Sequence, residues 1–210
     1  WPEVPCYEDV TKLTGDILGR DGISVDVITG GFPCQDISVA GKQAGISEGT
    51  RSGLWSEIVR LIGELSPRYV IVENVAALLS GPSEQRGGWF GSILSDLAEC
   101  GYNAEWENIP AAAVGAPHRR ERVWIVAYPH KKRRKGRTKK QVFQIASESP
   151  KSLREFKGQF RRPNLPASRF CRADDGVPQR VDRLKGLGNA VVPQIPELIG
   201  NAILQAEESA

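Results

Sequence analysis

The cysteine of residues 31–38 (GFPCQDIS) is the side chain in this sequence that is best placed to act as a nucleophile. This segment follows the apolar run of residues 25–29, which predicts a buried strand. Pro33 restricts the backbone just before Cys34, and open α/β sheets carry their reactive groups beyond the carboxyl ends of their strands. Cys34 is therefore a candidate nucleophile, although a lone cysteine is more often a small, unreactive core residue.

Glu73 follows a second apolar run (YVIV) and is a candidate proton donor. Burying an unpaired carboxylate is costly, so Glu73 is either a capping or ion-paired residue, or an acid whose pKa is raised by burial. Alternation at the start of the predicted strand 123–127 would point Arg120 and Arg122 to one side. These two cations could stabilise a thiolate, a carbonyl or a phosphate, or form a solvated cluster with Glu121.

The alternation of strand-like and helix-like segments predicts an α/β fold with a doubly wound, mostly parallel sheet. The predicted strands are residues 4–10, 25–29, 69–72, 102–109 and 123–127. The predicted helices are residues 52–65, 89–100 and 193–205. Residues 39–53 are rich in glycine and predict a mobile loop, of a length that is usually either functional or disordered. Residues 186–193 are either an anion- or cofactor-binding turn or a simple entry to the last helix.

The composition is that of an ordinary globular protein of 210 residues, with 25% charged and 40% apolar residues. No apolar run is long enough to cross a membrane and the sequence does not open on a signal-peptide pattern, so we expect a cytoplasmic protein that does not enter membranes. The four cysteines are scattered and share no CxxC spacing. They predict reduced thiols, and neither a disulfide framework nor a metal site.

The net charge of +3 conceals one strongly basic segment. Residues 131–140 (KKRRKGRTKK) hold eight basic side chains in ten positions. The first five are Lys131, Lys132, Arg133, Arg134 and Lys135. Such a run is either a solvated tail or a surface that contacts nucleic-acid phosphates, and charge alone favours neither.

Taken together, these segments resemble the cytosine-5 DNA methyltransferases. Five of them match the family's motifs in order: residues 15–17 (GDI), 33–38 (PCQDIS), 73–75 (ENV), 118–122 (HRRER) and 188–191 (GNAV). Histidine stands at position 118, where the family has glutamine. Each motif alone is weak, but five in register over nearly the whole chain are specific. The last third is most similar to the compact enzymes of phages and prophages.

The resemblance implies methyl transfer from S-adenosylmethionine to carbon 5 of cytosine in double-stranded DNA. The target base would leave the duplex, Cys34 would attack C6, Glu73 would donate to N3 and Arg122 would hold the O2 side. Arg120 is the fourth catalytic residue that it implies. The implied cofactor-binding residues are Asp16, Ile17, Pro33, Leu54, Asn189, Ala190 and Val191. The implied DNA-contacting residues are Gln35, Ser38, Arg51 and the five basic residues 131–135.

The resemblance also implies three regions. They are a catalytic domain over residues 1–127, a short basic target-recognition region over 128–179, and a closing motif with its helix over 180–210. The family's opening FxGxG segment is absent and the chain begins at Trp1. We therefore expect part of a longer protein, which alone binds S-adenosylmethionine poorly. A companion restriction nuclease is a candidate partner, and we expect a monomer.

Three alternative functions stay open at this point. One branch of the family methylates transfer RNA, so RNA is the closest alternative substrate. A non-catalytic DNA-binding remnant would bind phosphates without forming a covalent adduct. A thiol enzyme or redox protein built on Cys34 is a third, and the absence of a nearby resolving cysteine argues against it.

Overall fold

The computed structural model describes residues 3–32, 54–81, 88–130, 141–148 and 190–208. The chain divides into two compact units, Trp1–Ile109 with Glu121–Phe143, and Pro110–Arg120 with Gln144–Ala210. The described helices are α1 (Gly15–Arg20), α2 (Leu54–Leu65), α3 (Gly88–Glu99), α4 (Val142–Glu148) and α5 (Gln194–Glu208). The described strands are β1 (Val27–Gly30), β2 (Tyr69–Val75), β3 (Tyr102–Pro110) and β4 (Glu121–Pro129). Short 3-10 turns follow β2 at Ala76–Leu79 and β3 at Ala111–Val114.

The first unit is built on a four-stranded sheet with the order β1-β2-β4-β3. β1 runs parallel to β2, with Gly30 opposite Val72. β4 runs antiparallel to β2, with Val75 opposite Arg122. The predicted α/β class is confirmed, and the sheet is mixed.

One face of this sheet forms the main core, because alternate residues of β2 and β4 are apolar and point to the same side. Val70 and Val72 of β2 are buried there with Val123, Ile125 and Ala127 of β4. The apolar stripes of α2 and α3 cover this face with Trp55, Ile62, Phe90, Ile93 and Leu97. This packing fixes the carboxyl ends of β1 and β2 against the two helices.

Two glycines shape these elements, one at the end of a helix and one at a close helix–strand contact. Gly101 has φ of 83° and follows the last turn of α3, so the predicted helix stop is confirmed. Gly30 lets α2 approach β1, since a Cβ there would lie 2.9 Å from Ile58 Cδ1.

The strand predicted at residues 4–10 is wrong. Asp9 accepts hydrogen bonds from the Thr11 backbone N–H at 3.0 Å and from the Thr11 hydroxyl at 2.7 Å. Such local side-chain bonds offer the backbone an alternative to a sheet ladder. The chain instead continues into α1, a helix that the sequence did not predict, whose N-cap is Thr14.

The strand predicted at residues 25–29 is observed at Val27–Gly30, and the prediction that it is buried is wrong, since Val27 is 42% exposed. β2 and α4 also differ from the sequence prediction. β2 continues through Glu73 and Asn74 to Val75, because both polar residues find partners inside the fold. α4 lies in a stretch where no periodic pattern was recognised. Glu105 of β3 caps this helix from 37 residues away, accepting from the backbone N–H groups of Val142 at 2.9 Å and Phe143 at 3.0 Å. Burial raises the pKa of Glu105, and these two hydrogen bonds partly offset that rise.

Over the ranges that the structure describes, no helix has the length and apolar character needed to cross a bilayer.

Candidate active site

An ion pair between Glu73 and Arg122 lies at the centre of the candidate site. In the antiparallel register Glu73 faces Trp124, so Arg122 reaches Glu73 diagonally from two residues before Trp124 in β4. Arg122 Nε lies 2.9 Å from Glu73 Oε1, and the side chains are 21% and 18% exposed. A partly buried, charge-assisted hydrogen bond of this kind fixes the orientation of the carboxylate.

The second oxygen of Glu73 faces the chain that leaves β1. Gly30 is paired with Val72, so the next residue, Gly31, lies beside Glu73, the next residue of the parallel strand β2. A Cβ on Gly31 would lie 3.4 Å from Glu73 Oε2 and 3.6 Å from the Glu73 carbonyl oxygen. The backbone that leads toward Cys34 therefore passes directly beside the carboxylate.

Asn74 fixes the next residue of that backbone. Its side chain is 3% exposed, and its Nδ2 donates to the Phe32 carbonyl oxygen at 3.2 Å. Its Oδ1 accepts from the Val75 backbone N–H at 2.8 Å. A buried amide that is bonded at both ends is costly to displace. Asn74 thus holds the Phe32 carbonyl in place, a contact that the sequence analysis missed; the available signal was a polar residue inside an apolar strand.

Among the remaining predicted site residues, Asp16, Ile17 and Leu54 belong to the first compact unit. The others divide into two groups. Pro33, Cys34, Gln35, Ser38, Arg51, Asn189 and the basic residues 131–135 lie outside the described residues. Arg120, Ala190 and Val191 belong to the second compact unit, whereas Glu73 and Arg122 belong to the first. The assignments of these residues stay predictions.

A cleft of about 610 Å³ lies beside α1 in the first unit, and Asp16 is one of its lining residues. Its other lining residues include Thr14, Gly15, Ser24 and Glu64. The volume falls within the range of small-molecule sites, which is roughly 300–1,000 Å³. The Asp16 carboxylate can accept a hydrogen bond from an amino group there, which is compatible with its predicted role as a cofactor-binding residue. Ile17 contributes its backbone N–H to Thr14 Oγ1 at 3.3 Å.

Arg60 of α2 holds the segment that precedes this cleft. Its guanidinium donates to the carbonyl oxygens of Val10 at 3.0 Å and Leu13 at 2.7 Å, and to Glu64 Oε1 at 2.6 Å. Glu64 Oε2 in turn accepts from the Gly15 backbone N–H at 2.7 Å. The Gly15 N–H, and then Arg60, lower the pKa of Glu64. One guanidinium thus ties the start of α1 to α2.

Replacing Arg60 with methionine is expected to lower the free energy of unfolding by about 2 kcal/mol, because several hydrogen bonds to charged groups are lost. Arg20→Met is the control, since Arg20 is 74% exposed and its pairing with Asp21 should contribute at most about 0.5 kcal/mol. Urea unfolding followed by circular dichroism measures both. The stabilisation from Glu64 is present above its unfolded pKa and is lost as pH falls through its lowered folded pKa. Equal effects of the two variants near neutral pH would contradict the role of Arg60.

Comparison with known proteins identifies the family of this chain. The family model described as C-5 cytosine-specific DNA methylase matches residues 2–170, and the chain belongs to this family. The predicted resemblance is confirmed.

Individual relatives match only part of the chain. The type II methyltransferase M.Sau3AI of Staphylococcus aureus is 48% identical over 124 residues, which are 58% of this chain and 29% of that protein. M.NlaIV of Neisseria lactamica is 36% identical over 130 residues, which are 60% of this chain and 29% of that protein. The chain therefore spans about three tenths of the length of these relatives.

The solved structures that resemble the chain overlap with it only partly. The Dnmt2 methyltransferase of S. pombe has a TM-score of 0.44 and 21% identity, covering 70% of this chain and 42% of that one. An overlap of this size does not define the fold of the chain, which is given by its own sheet order and register.

Proposed function

We propose that this protein transfers a methyl group from S-adenosylmethionine to carbon 5 of cytosine in double-stranded DNA. Its membership of the C-5 cytosine-specific DNA methylase family supports this proposal. The observation that carries it is structural. Glu73, paired with Arg122, lies beside the backbone at Gly31, and Asn74 bonds the carbonyl of Phe32, two residues before Cys34 in the sequence.

The chemistry assigned to Cys34 is nucleophilic addition. Its thiolate forms a bond to C6 of the flipped cytosine, the C5–C6 double bond opens, and electron density moves toward N3 and C5. When bound, S-adenosylmethionine supplies the electrophilic methyl group. After C5 has been methylated, a base removes the C5 proton, the double bond re-forms and the Cys34 thiolate leaves. Addition converts an unreactive carbon into a nucleophile and divides one difficult step into easier ones.

Glu73 is ion-paired with Arg122, and we propose that it also acts as the acid for N3 once Oε2 carries a proton; N3 returns this proton when the Cys34 thiolate leaves. Arg122 binds Oε1, and Oε2 faces the chain that leads to Cys34, so the two oxygens have different tasks. We assign the proton that reaches N3 to Oε2. The Arg122 guanidinium keeps the carboxyl group in this orientation, and we propose that it also holds O2 of the base. Arg120 is proposed as a second cation for the base or a phosphate.

The cleft beside α1 is the proposed position of the cofactor's adenine. Asp16 lines it, and the hydrogen bond from Gly15 to Glu64 holds the first turn of α1 in place. Ile17, Pro33, Leu54, Asn189, Ala190 and Val191 remain proposed cofactor-binding residues. Leu54 begins α2 and is 37% exposed, and Val191 is 45% exposed.

DNA is the proposed partner of the basic residues 131–135, and Gln35, Ser38 and Arg51 are proposed to contact the target site. Phosphate contacts position a protein on DNA, whereas contacts to base edges specify sequence. We further propose that the protein acts as a monomer in the cytoplasm and that a companion restriction nuclease shares its target sequence. The three regions 1–127, 128–179 and 180–210 are the proposed division of these tasks.

Covalent capture on DNA that contains 5-fluorocytosine tests the proposed function. Fluorine at C5 blocks the final elimination, so the protein expressed from its whole gene should form a stable adduct in the presence of S-adenosylmethionine. Cys34→Ser should form none, and denaturing gels with labelled duplexes of varied sequence measure the outcome. A structured RNA that contains 5-fluorocytosine is the matched second substrate. An adduct on RNA with none on DNA would show that RNA is the substrate. No adduct on either nucleic acid would overturn the catalytic proposal.

A further inference from the structure

The two ends of the segment that holds Cys34 meet in the core of the first unit. The described chain leaves at Phe32 and resumes at Leu54, the first residue of α2. Phe32 is 5% exposed and Trp55 is 2% exposed. Their ring centroids are 5.5 Å apart with an interplanar angle of 51°. One aromatic pair therefore joins the described residues that precede and follow this segment.

The indole of Trp55 has a specific partner on another helix. Its Nε1–H donates to Asp96 Oδ2 of α3 at 2.6 Å. An apolar core position needs only a hydrophobic ring, but an indole N–H requires an acceptor when it is buried. A carboxylate acceptor makes a short, strong bond that also fixes the rotation of the ring. Packing alone would leave the orientation of Trp55 less well determined.

Phe32 is held from two directions as a result. Trp55 contacts its ring, and Asn74 binds its carbonyl oxygen. Asn74 is the neighbour of Glu73 in β2. Two hydrogen bonds and one aromatic contact therefore connect Asp96 of α3, through Trp55 and Phe32, with Asn74 beside the acid of the candidate site. A displacement at Asp96 would therefore reach the residue that precedes Pro33 and Cys34.

We propose that Asp96 and Trp55 are positioning residues for the methyl transfer. Their hydrogen bond fixes Phe32, two residues before Cys34 in the sequence, relative to Glu73. This inference rests on the proposed function. Both residues act through Phe32, so their loss should change the rate of covalent attack more than the affinity for DNA. Misplacing a reacting group by about 1 Å can cost on the order of a hundredfold in rate.

The test measures the single-turnover rate of capture on 5-fluorocytosine duplex, together with the Kd for unmodified duplex, at a temperature where every variant is folded. Trp55→Phe and Asp96→Ala should each lower the capture rate by about tenfold and change Kd by less than about twofold. The double variant should be no slower than the slower single variant, because both remove one interaction. Asp96→Asn retains an acceptor oxygen and should recover part of the rate. Glu99→Ala is the matched control, since it removes the same charge from an exposed position of α3.

Three outcomes decide the proposal. Slower capture with unchanged Kd, and a double variant no slower than either single one, support it. Capture by Trp55→Phe and Asp96→Ala at the rate of Glu99→Ala overturns it and leaves the proposed function standing. Failure of the wild-type protein to be captured overturns the proposed function as well. Should Asp96→Ala fail to fold, Asp96→Asn, which keeps the size of the side chain, and Trp55→Phe, which keeps an aromatic ring beside Phe32, decide the question.

Discussion

Glu73→Gln is expected to lower the rate of methyl transfer by about 10²- to 10⁴-fold, which is the usual contribution of a general acid. Glutamine keeps the shape of the side chain, and its carbonyl oxygen can still accept from Arg122 Nε, which lies 2.9 Å from Glu73 Oε1. The amide cannot deliver a proton to N3 as charge develops on the ring. Single-turnover transfer of labelled methyl groups to duplex DNA measures this loss.

Two further measurements make the result specific to the acid. Glu107→Gln removes the same charge from an exposed position of β3 and should leave the rate unchanged. The melting temperature of Glu73→Gln should stay close to that of the wild type, because the hydrogen bond to the guanidinium survives. A Glu73→Gln enzyme that retains more than about half of its rate would exclude Glu73 as the proton donor.

Neutralising residues 131–135 to glutamine is expected to weaken DNA binding by about 10²- to 10³-fold at moderate salt. Each phosphate contact contributes roughly 0.9 to the slope of log K against log salt, so five contacts would reduce that slope by about 4. The loss should be nearly equal on unrelated sequences, because phosphate contacts do not specify sequence. Fluorescence anisotropy on three unrelated duplexes, at several salt concentrations, measures both quantities.

A control for this prediction neutralises basic residues elsewhere on the surface. Lys12 and Arg20 have side chains that are 83% and 74% exposed, and each lies near an aspartate. Changing both to glutamine should alter the salt slope by less than about 1. A loss confined to one DNA sequence would show that residues 131–135 contact bases, and a slope equal to that of the control would show that they do not contact phosphates.

The elements that position the candidate site could be predicted where the sequence signal is local. The apolar run YVIV predicts β2 because a strand buried on both faces carries apolar residues without alternation. The spacing of Leu61, Ile62 and Leu65 predicts α2 in the same way. The strand predicted at residues 4–10 is wrong because a valine at each end of the segment resembles a strand pattern. The hydrogen bonds from Thr11 to Asp9 form a turn instead.

The contacts between distant residues could not be predicted from the sequence. Motif matching names Glu73 and Arg122, but their diagonal ion pair depends on the antiparallel register of β2 and β4. The bond between Trp55 and Asp96 joins residues 41 positions apart on two helices. The cap that Glu105 provides for α4 likewise has no local sequence signal, because its partners follow 37 and 38 residues later.

The outer edge of β1 has a practical consequence for work with the purified chain. β1 is the terminal strand of the sheet order, and no strand in the described part of the chain pairs with its outer edge. Val27 is 42% exposed, and the strand reads VITG, with neither a charge nor a proline. Edges without such features are templates for pairing between molecules. Pairing through this strand is therefore one route by which concentrated stocks of the chain are expected to aggregate, although its length of only four residues limits such pairing, so dilution is the condition that preserves a sample.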